Sequence, residues 1–181
     1  MSRPPRARDS VLDAFERLLV DDGERAATMD ATARAAGVSK GGLLYHFASK
    51  EALERALLER LAALVDADIA AMDAAPEGPV AFFVRTSVMA DEPLDRALIA
   101  ASRLAQGGHA EASDALRDVR ARWETALRPH VRDDTALDLV LLVSDGLYYN
   151  NALPVSGSEP VPRGAALDAL VALVERAVRP R

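Results

Sequence analysis

The chain has no cysteine, which excludes disulfides and thiolate metal ligands and fits a reducing compartment. Lysine is almost missing as well: Lys40 and Lys50 are the only two, and arginine supplies the rest of the basic charge. Aromatic residues make up 4% of the 181 positions, too few for a large aromatic-lined cavity. No apolar run approaches the ~20 residues needed to cross a bilayer. The basic N-terminus leads into VLDAFERLLV, an apolar stretch broken by Asp13, Glu16 and Arg17, so a secretory leader is not expected either. No sustained apolar–polar alternation argues for strands. These absences point to a cytoplasmic protein without a sheet.

Signs of catalysis are equally thin. His46, His109 and His130 do not stand at a metal-binding spacing such as H-x-x-x-H. Glycine-rich phosphate loops and nucleophile elbows are missing. The pairs Asp21-Asp22 and Asp133-Asp134 read as charge at helix ends. No enzyme activity, cofactor or metal site is expected.

What the chain does have is helix. Half of its residues are apolar, with alanine and leucine dominant, which favours an all-α fold. Val11, Leu12, Phe15, Leu18 and Leu19 form a stripe that predicts a helix from about residue 9 or 10 to residue 22, stopped by Gly23. Pro4 and Pro5 are expected to leave residues 1–8 as a flexible arm, whose Arg3, Arg6 and Arg8 could reach a phosphate or a minor groove. Ser49 is a good N-cap for a helix to about residue 74, long enough at roughly 37 Å to belong to two domains. The breaker APEGP follows. Further helices are predicted at about 79–90, 93–106, 110–127, 134–153 and 165–178, with a Pro, Gly and Ser-rich loop at 154–164. With the two short helices described next, the total is nine.

The most specific stretch runs from Thr28 to Leu53. Thr28 caps a short helix, Met29, Ala33 and Ala36 share its inner face, and Gly37 ends it where a left-handed residue is needed. Ser39 restarts the chain into a second helix, Lys40 to Phe47. Leu43 and Phe47, four apart, face inward, which leaves Lys40, Gly41, Gly42, Leu44, Tyr45 and His46 outward. A helix face carrying Lys, Tyr and His beside glycines suits a DNA groove. Net charge is -6. Residues 1–60 are nevertheless balanced between Lys+Arg and Asp+Glu, and the whole acidic excess falls in residues 61–181, as expected where only one end meets nucleic acid.

The run T-M-x-x-x-A-x-x-A-G-V-S-K-G-x-L-x-Y-H-F-x-S-K-E-A-L resembles the TetR family of bacterial transcriptional regulators. The resemblance implies a helix-turn-helix DNA-binding domain at 1–48 and a helical effector-binding and dimerisation domain at 49–181. It further implies that Tyr45, His46 and Lys50 contact phosphates and that Thr28 anchors one at a helix start, a place where free N–H groups and the helix dipole favour an anion. Lys40, Gly42 and Leu44 are the candidates for base edges, and leucine can read only a thymine methyl or shape. Thr32, Gly42 and Leu44 depart from the family pattern, Thr32 at a position usually held by a buried aliphatic. In the body, Phe82, Phe83, Arg85, Thr86, Met89, Arg103, Trp123, Tyr148 and Asn151 are candidate pocket residues. Trp123 offers an aromatic face and Arg103 a buried guanidinium.

The last two helices are the most apolar. Leu137, Val140, Leu141, Ser144, Leu147 and Tyr148 widen one face, and Leu167, Leu170, Val171, Val174 and Val178 the other. Packing within the chain or a four-helix interface with a second copy, through the eighth and ninth helices, would cover them. The expectation is thus a homodimeric repressor of palindromic operator DNA, released by an unknown small-molecule effector. The alternative is a ligand-binding or interaction module whose DNA head has weakened.

Overall fold

The computed structural model describes residues 4–151 and 161–179, with side chains from Ala7 onward. Among the described residues there are nine α-helices and no strand: α1 (Pro4–Asp22), α2 (Met29–Ala35), α3 (Lys40–His46), α4 (Lys50–Asp73), α5 (Pro79–Thr86), α6 (Pro93–Gln106), α7 (Ala110–Leu127), α8 (Asp134–Asn151) and α9 (Ala165–Val178). A 3-10 turn, Arg128–His130, separates α7 from α8.

Two elements depart from the sequence reading. Helix α1 begins at Pro4 rather than at residue 9 or 10, so Pro4 to Arg8 are helical and do not form a flexible arm. Proline is excluded from a helix interior because it lacks an N–H. In the first turn that N–H has no partner anyway, so a Pro-Pro pair there starts the helix instead of blocking it. Helix α5 stops at Thr86 rather than near residue 90. The hydroxyl of Ser87 donates to the Phe83 carbonyl at 2.7 Å and lies 2.7 Å from the Ser144 hydroxyl. The Ser87 carbonyl accepts from the Asn151 amide at 3.3 Å. The Phe83 carbonyl still accepts the Ser87 N–H at 3.2 Å, so the group a further turn would need and a side chain has taken is the Ser87 carbonyl.

The chain forms two compact units. The first comprises residues 1–65 and 91–119, the second residues 66–90 and 120–181, so α4 and α7 each contribute to both. The core of the first unit joins Val11, Leu12, Phe15 and Leu19 of α1 to Leu43, Phe47, Leu53 and Leu57, with Ala100 and Leu104 of α6 packed into the same cluster. Leu43, fully buried, ties the short α3 to that core. Beside it lies an ion cluster. Glu16 on α1 is 5% exposed. Its carboxylate meets Arg60 of α4 at 3.2 Å and Arg96 of α6 at 3.7 Å, and Arg60 also holds Asp13 at 2.7 Å. Burial pushes the Glu16 carboxyl above its ordinary value, and Arg60 and then Arg96 oppose that rise.

The second unit is built on Met72, Val80, Phe83, Val84, Leu137, Val140, Leu141, Val171 and Val174. The broad apolar faces anticipated on α8 and α9 are therefore taken up within the chain. A different set stays in solvent: Leu142 at 65% exposure, Tyr149 at 67%, Leu173 at 57% and Leu139 at 39%. No helix among the described residues is long and apolar enough to cross a membrane.

Candidate nucleic-acid interface

Helices α2 and α3 are short, and their ends are fixed by local chemistry. The Thr28 hydroxyl accepts the Ala31 N–H at 3.2 Å, which leaves its own O–H free to donate. At the other end of α2 the Gly37 N–H bonds Arg34 O and the Val38 N–H bonds Ala33 O, at 3.2 and 3.0 Å. Gly37 has φ +68, so this is a Schellman turn built on the glycine. It redirects the chain to Ser39, whose hydroxyl accepts the Gly42 N–H at 3.1 Å and starts α3. Thr32 is fully buried, and its hydroxyl donates to the Thr28 carbonyl at 2.8 Å. A threonine is accepted in this core because its polar atom has a partner inside its own helix.

The outward face of α3 matches the sequence reading. Lys40, Gly41, Leu44 and Tyr45 are exposed, and Gly42 and His46 half-buried, while Leu43 and Phe47 face in. Tyr45 is 83% exposed and packs edge-on against His46, with ring centroids 5.2 Å apart. A side chain added at Gly41 would meet nothing within 4 Å, so the protein's own packing does not require a glycine there.

The basic residues are distributed differently from the expectation. Lys40 pairs with Asp30 at 2.9 Å with both groups in solvent, a contact easily exchanged for a phosphate. Lys50 is drawn inward. It pairs with Glu24, lies 3.7 Å from Glu54, and pulls the Glu24 carboxyl below its ordinary value. Arg8 does not hang free. Its guanidinium stacks 4.8 Å from the centroid of the Phe47 ring, an attraction of the ring face for the cation. Arg3 and the side chain of Arg6 lie outside the described residues.

The candidate pocket residues do not converge as one set. Phe83 and Trp123 meet edge to face at 5.5 Å, and the Trp123 indole donates to Asp68 at 2.9 Å. Phe82 packs against the same core. Arg85 is paired with Asp168 at 2.6 Å and with Glu77 at 3.9 Å. Thr86 is exposed, its hydroxyl turned back to the Phe82 carbonyl at 3.1 Å, and Met89 and Tyr148 are half-buried. The Asn151 amide is held by Leu147 and Ser87 carbonyls. Arg103 is a correction: it is exposed on α6 and belongs to the first unit, because Ala100, Ala101 and Leu104 occupy the inward face of that helix. One cleft in the second unit, about 190 Å³, is lined instead by Pro79, Val80, His130, Glu175 and Val178 among others.

Residues 11–57 match the model of the bacterial regulatory proteins of the tetR family, and residues 77–175 match that of the tetracyclin repressor-like C-terminal domain. The chain belongs to the TetR family. It is 31% identical over 185 residues to the HTH-type transcriptional regulator BetI of Rhizobium meliloti (strain 1021), with 94% of this chain and 87% of the relative covered. The protein SCO7518 of Streptomyces coelicolor A3(2) superposes with a TM-score of 0.59 at 25% identity, covering 94% of this chain and 99% of its own. A transcriptional regulator fold from Saccharomonospora viridis, solved in complex with choline, superposes with a TM-score of 0.66 at 19% identity over 98% and 100% of the two chains. This TetR family member is a DNA-binding transcriptional regulator with a ligand-binding body, and α2 and α3 are its helix-turn-helix.

Proposed function

We propose that the protein is a repressor that binds a palindromic operator as a homodimer and leaves it when a small molecule binds the second unit. The observation that carries the DNA part is the outward face of α3, where Tyr45 is solvent-exposed while Leu43 and Phe47 anchor the helix. Lys40, Gly42 and Leu44 face the base edges, and Thr28, Ser39, Gly41, Tyr45 and His46 approach the backbone. Lys50 joins them only after exchanging its carboxylate partners for a phosphate. Two copies related by a two-fold axis would place their recognition helices in major grooves about 34–36 Å apart.

The dimer would form through the exposed leucines and tyrosine of α8 and α9, large apolar side chains that a second copy would remove from water. Helices α4 and α7, which contribute to both units, carry the ligand's effect to the head. The ligand shifts the population only by its different affinity for the two states. Choline, seen in a structural neighbour, is the first effector to try.

A gel shift and fluorescence anisotropy with DNA upstream of the protein's own gene test this reading. Expected is a retarded complex whose affinity falls steeply with salt and drops severalfold, for operator and random DNA alike, in Tyr45→Phe. Equal affinity of wild type and Tyr45→Phe would remove Tyr45 from the contact set. No retardation at low salt would sink the DNA-binding reading and favour a module with a weakened head.

A further inference from the structure

Glu24, Glu54 and His109 lie far apart in sequence, which hides them from any search for ligand spacing, yet the first unit brings them together. Each offers one ligand atom, and these atoms all lie within 4.8 Å of one another. His109 Nε2 stands 3.7 Å from Glu24 and Nδ1 3.6 Å from Glu54. The backbone builds this meeting point deliberately. Gly108, at φ +94, closes α6 with a second Schellman turn in which the His109 N–H bonds the Leu104 carbonyl at 3.2 Å, and this fixes where the imidazole starts. Gly107 lets Glu24 approach: a side chain there would stand 3.2 Å from Glu24 Cγ. Glu54 comes from the first turns of α4 with its side chain only 9% exposed, and its Oε1 is buried without a hydrogen bond. Such an oxygen is costly to leave unmade. The nearest cation to it is the Lys50 ammonium at 3.7 Å.

The geometry points to a binding site for a divalent transition-metal ion of the Zn²⁺ class at Glu24, Glu54 and His109, with the Lys50 ammonium standing in for the ion when none is bound. Two carboxylates and one imidazole are a donor set that such ions accept. Donors at about 2.1 Å from a tetrahedral ion stand about 3.4 Å apart, so donors that lie within 4.8 Å of one another require closure by up to about 1.4 Å. One ring nitrogen of His109 ligates, and the carboxylate now beside the other nitrogen must turn toward the ion as the three donors close on it. The fourth position opens into a cleft of about 600 Å³ whose lining adds Glu51 and Glu111, of a sign that attracts a cation, and one opposing charge, Arg55. The ammonium is displaced as the ion enters.

Isothermal titration calorimetry of the untagged, chelator-stripped full chain with ZnCl₂ tests the site without reference to DNA. Expected is one ion per chain, tighter than about 100 µM, with His109→Ala and Glu54→Gln each weakening it at least about tenfold. Lys50→Ala should bind severalfold more tightly, because the competing charge is gone. His130→Ala should match wild type. Thermal melting followed by circular dichroism guards against misfolding: zinc should raise the Tm of wild type and not that of Glu54→Gln. Binding weaker than about 1 mM, or tight binding that survives both His109→Ala and Glu54→Gln, would overturn the site. So would loss of binding in Lys50→Ala.

Discussion

Replacing Arg60 by alanine should expose what the ion cluster of the first unit does. The perturbation leaves Glu16, 5% exposed on α1, without its nearer guanidinium. Breaking a buried pair by removing one partner costs about 3–5 kcal/mol, because an uncompensated charge remains. Two features lower that figure here. Arg96 still stands 3.7 Å from Glu16, and Arg60 itself keeps 24% of its side chain in water. A loss of about 2–3 kcal/mol follows, or roughly 5–10 °C in Tm for a chain of this size.

The pH dependence carries the sharper test. Burial already holds the Glu16 carboxyl above its ordinary value, and without Arg60 it must rise further. A carboxyl whose folded pKa exceeds its unfolded one binds its proton more tightly in the folded state. The penalty is therefore complete above the folded pKa and shrinks as pH falls through it toward the unfolded value. Melts of wild type and Arg60→Ala, followed by circular dichroism, should differ more at pH 7.5 than at pH 5. Adding Glu16→Gln to Arg60→Ala should recover most of the loss, since a neutral amide needs no counter-charge. A difference under about 1 °C, one that does not change with pH, or no recovery in the double variant would refute the reasoning.

Gly41→Ala should leave Tm unchanged or raise it, by up to about 1 kcal/mol of helix propensity, yet weaken DNA binding where α3 approaches a groove; equal loss of both would mean the glycine serves folding. Leu142→Glu and Leu173→Glu place charges on the exposed apolar face of α8 and α9 and should shift light scattering toward monomer mass, while dimer mass in both variants would move the interface elsewhere. Thr28→Ala removes the α2 cap and should cost about 1 kcal/mol in stability, measured by denaturant titration. Titration of choline against Trp123 emission, followed by anisotropy on bound operator, should release DNA if choline is the effector; a signal change without release would separate binding from control.

The helices were legible because their signals are local. Thr28, Gly37 and Ser39 act within three or four residues of themselves, and the stripe of α1 needs only its own period. Pro4 and Pro5 misled because the same residue forbids a helix interior and favours its first turn, and only the position distinguishes the two. The face of α3 was readable, but the destination of Lys50 was not: Glu24 lies 26 positions away, and nothing in the spacing announces the pair. Arg103 failed for a related reason. Its burial depends on which side of α6 meets α1, and an alanine-rich helix with Ala97, Ala100 and Ala101 inward advertises its inner face poorly. The outer leucines of α8 were likewise masked by a helix whose apolar residues run around more than one side.

The single tryptophan has a practical meaning for how this molecule comes apart. Trp123 belongs to the second unit and the first unit has none, so indole emission follows only one of the two, whereas helical ellipticity follows both. If α4 and α7 bind the units into one cooperative block, the emission and ellipticity melts will superimpose; if each unit melts by itself, the curves will part. With no native thiol to protect, a cysteine placed anywhere in the first unit would carry a second dye uniquely, and the spacing between the two transitions would measure how strongly head and body are coupled.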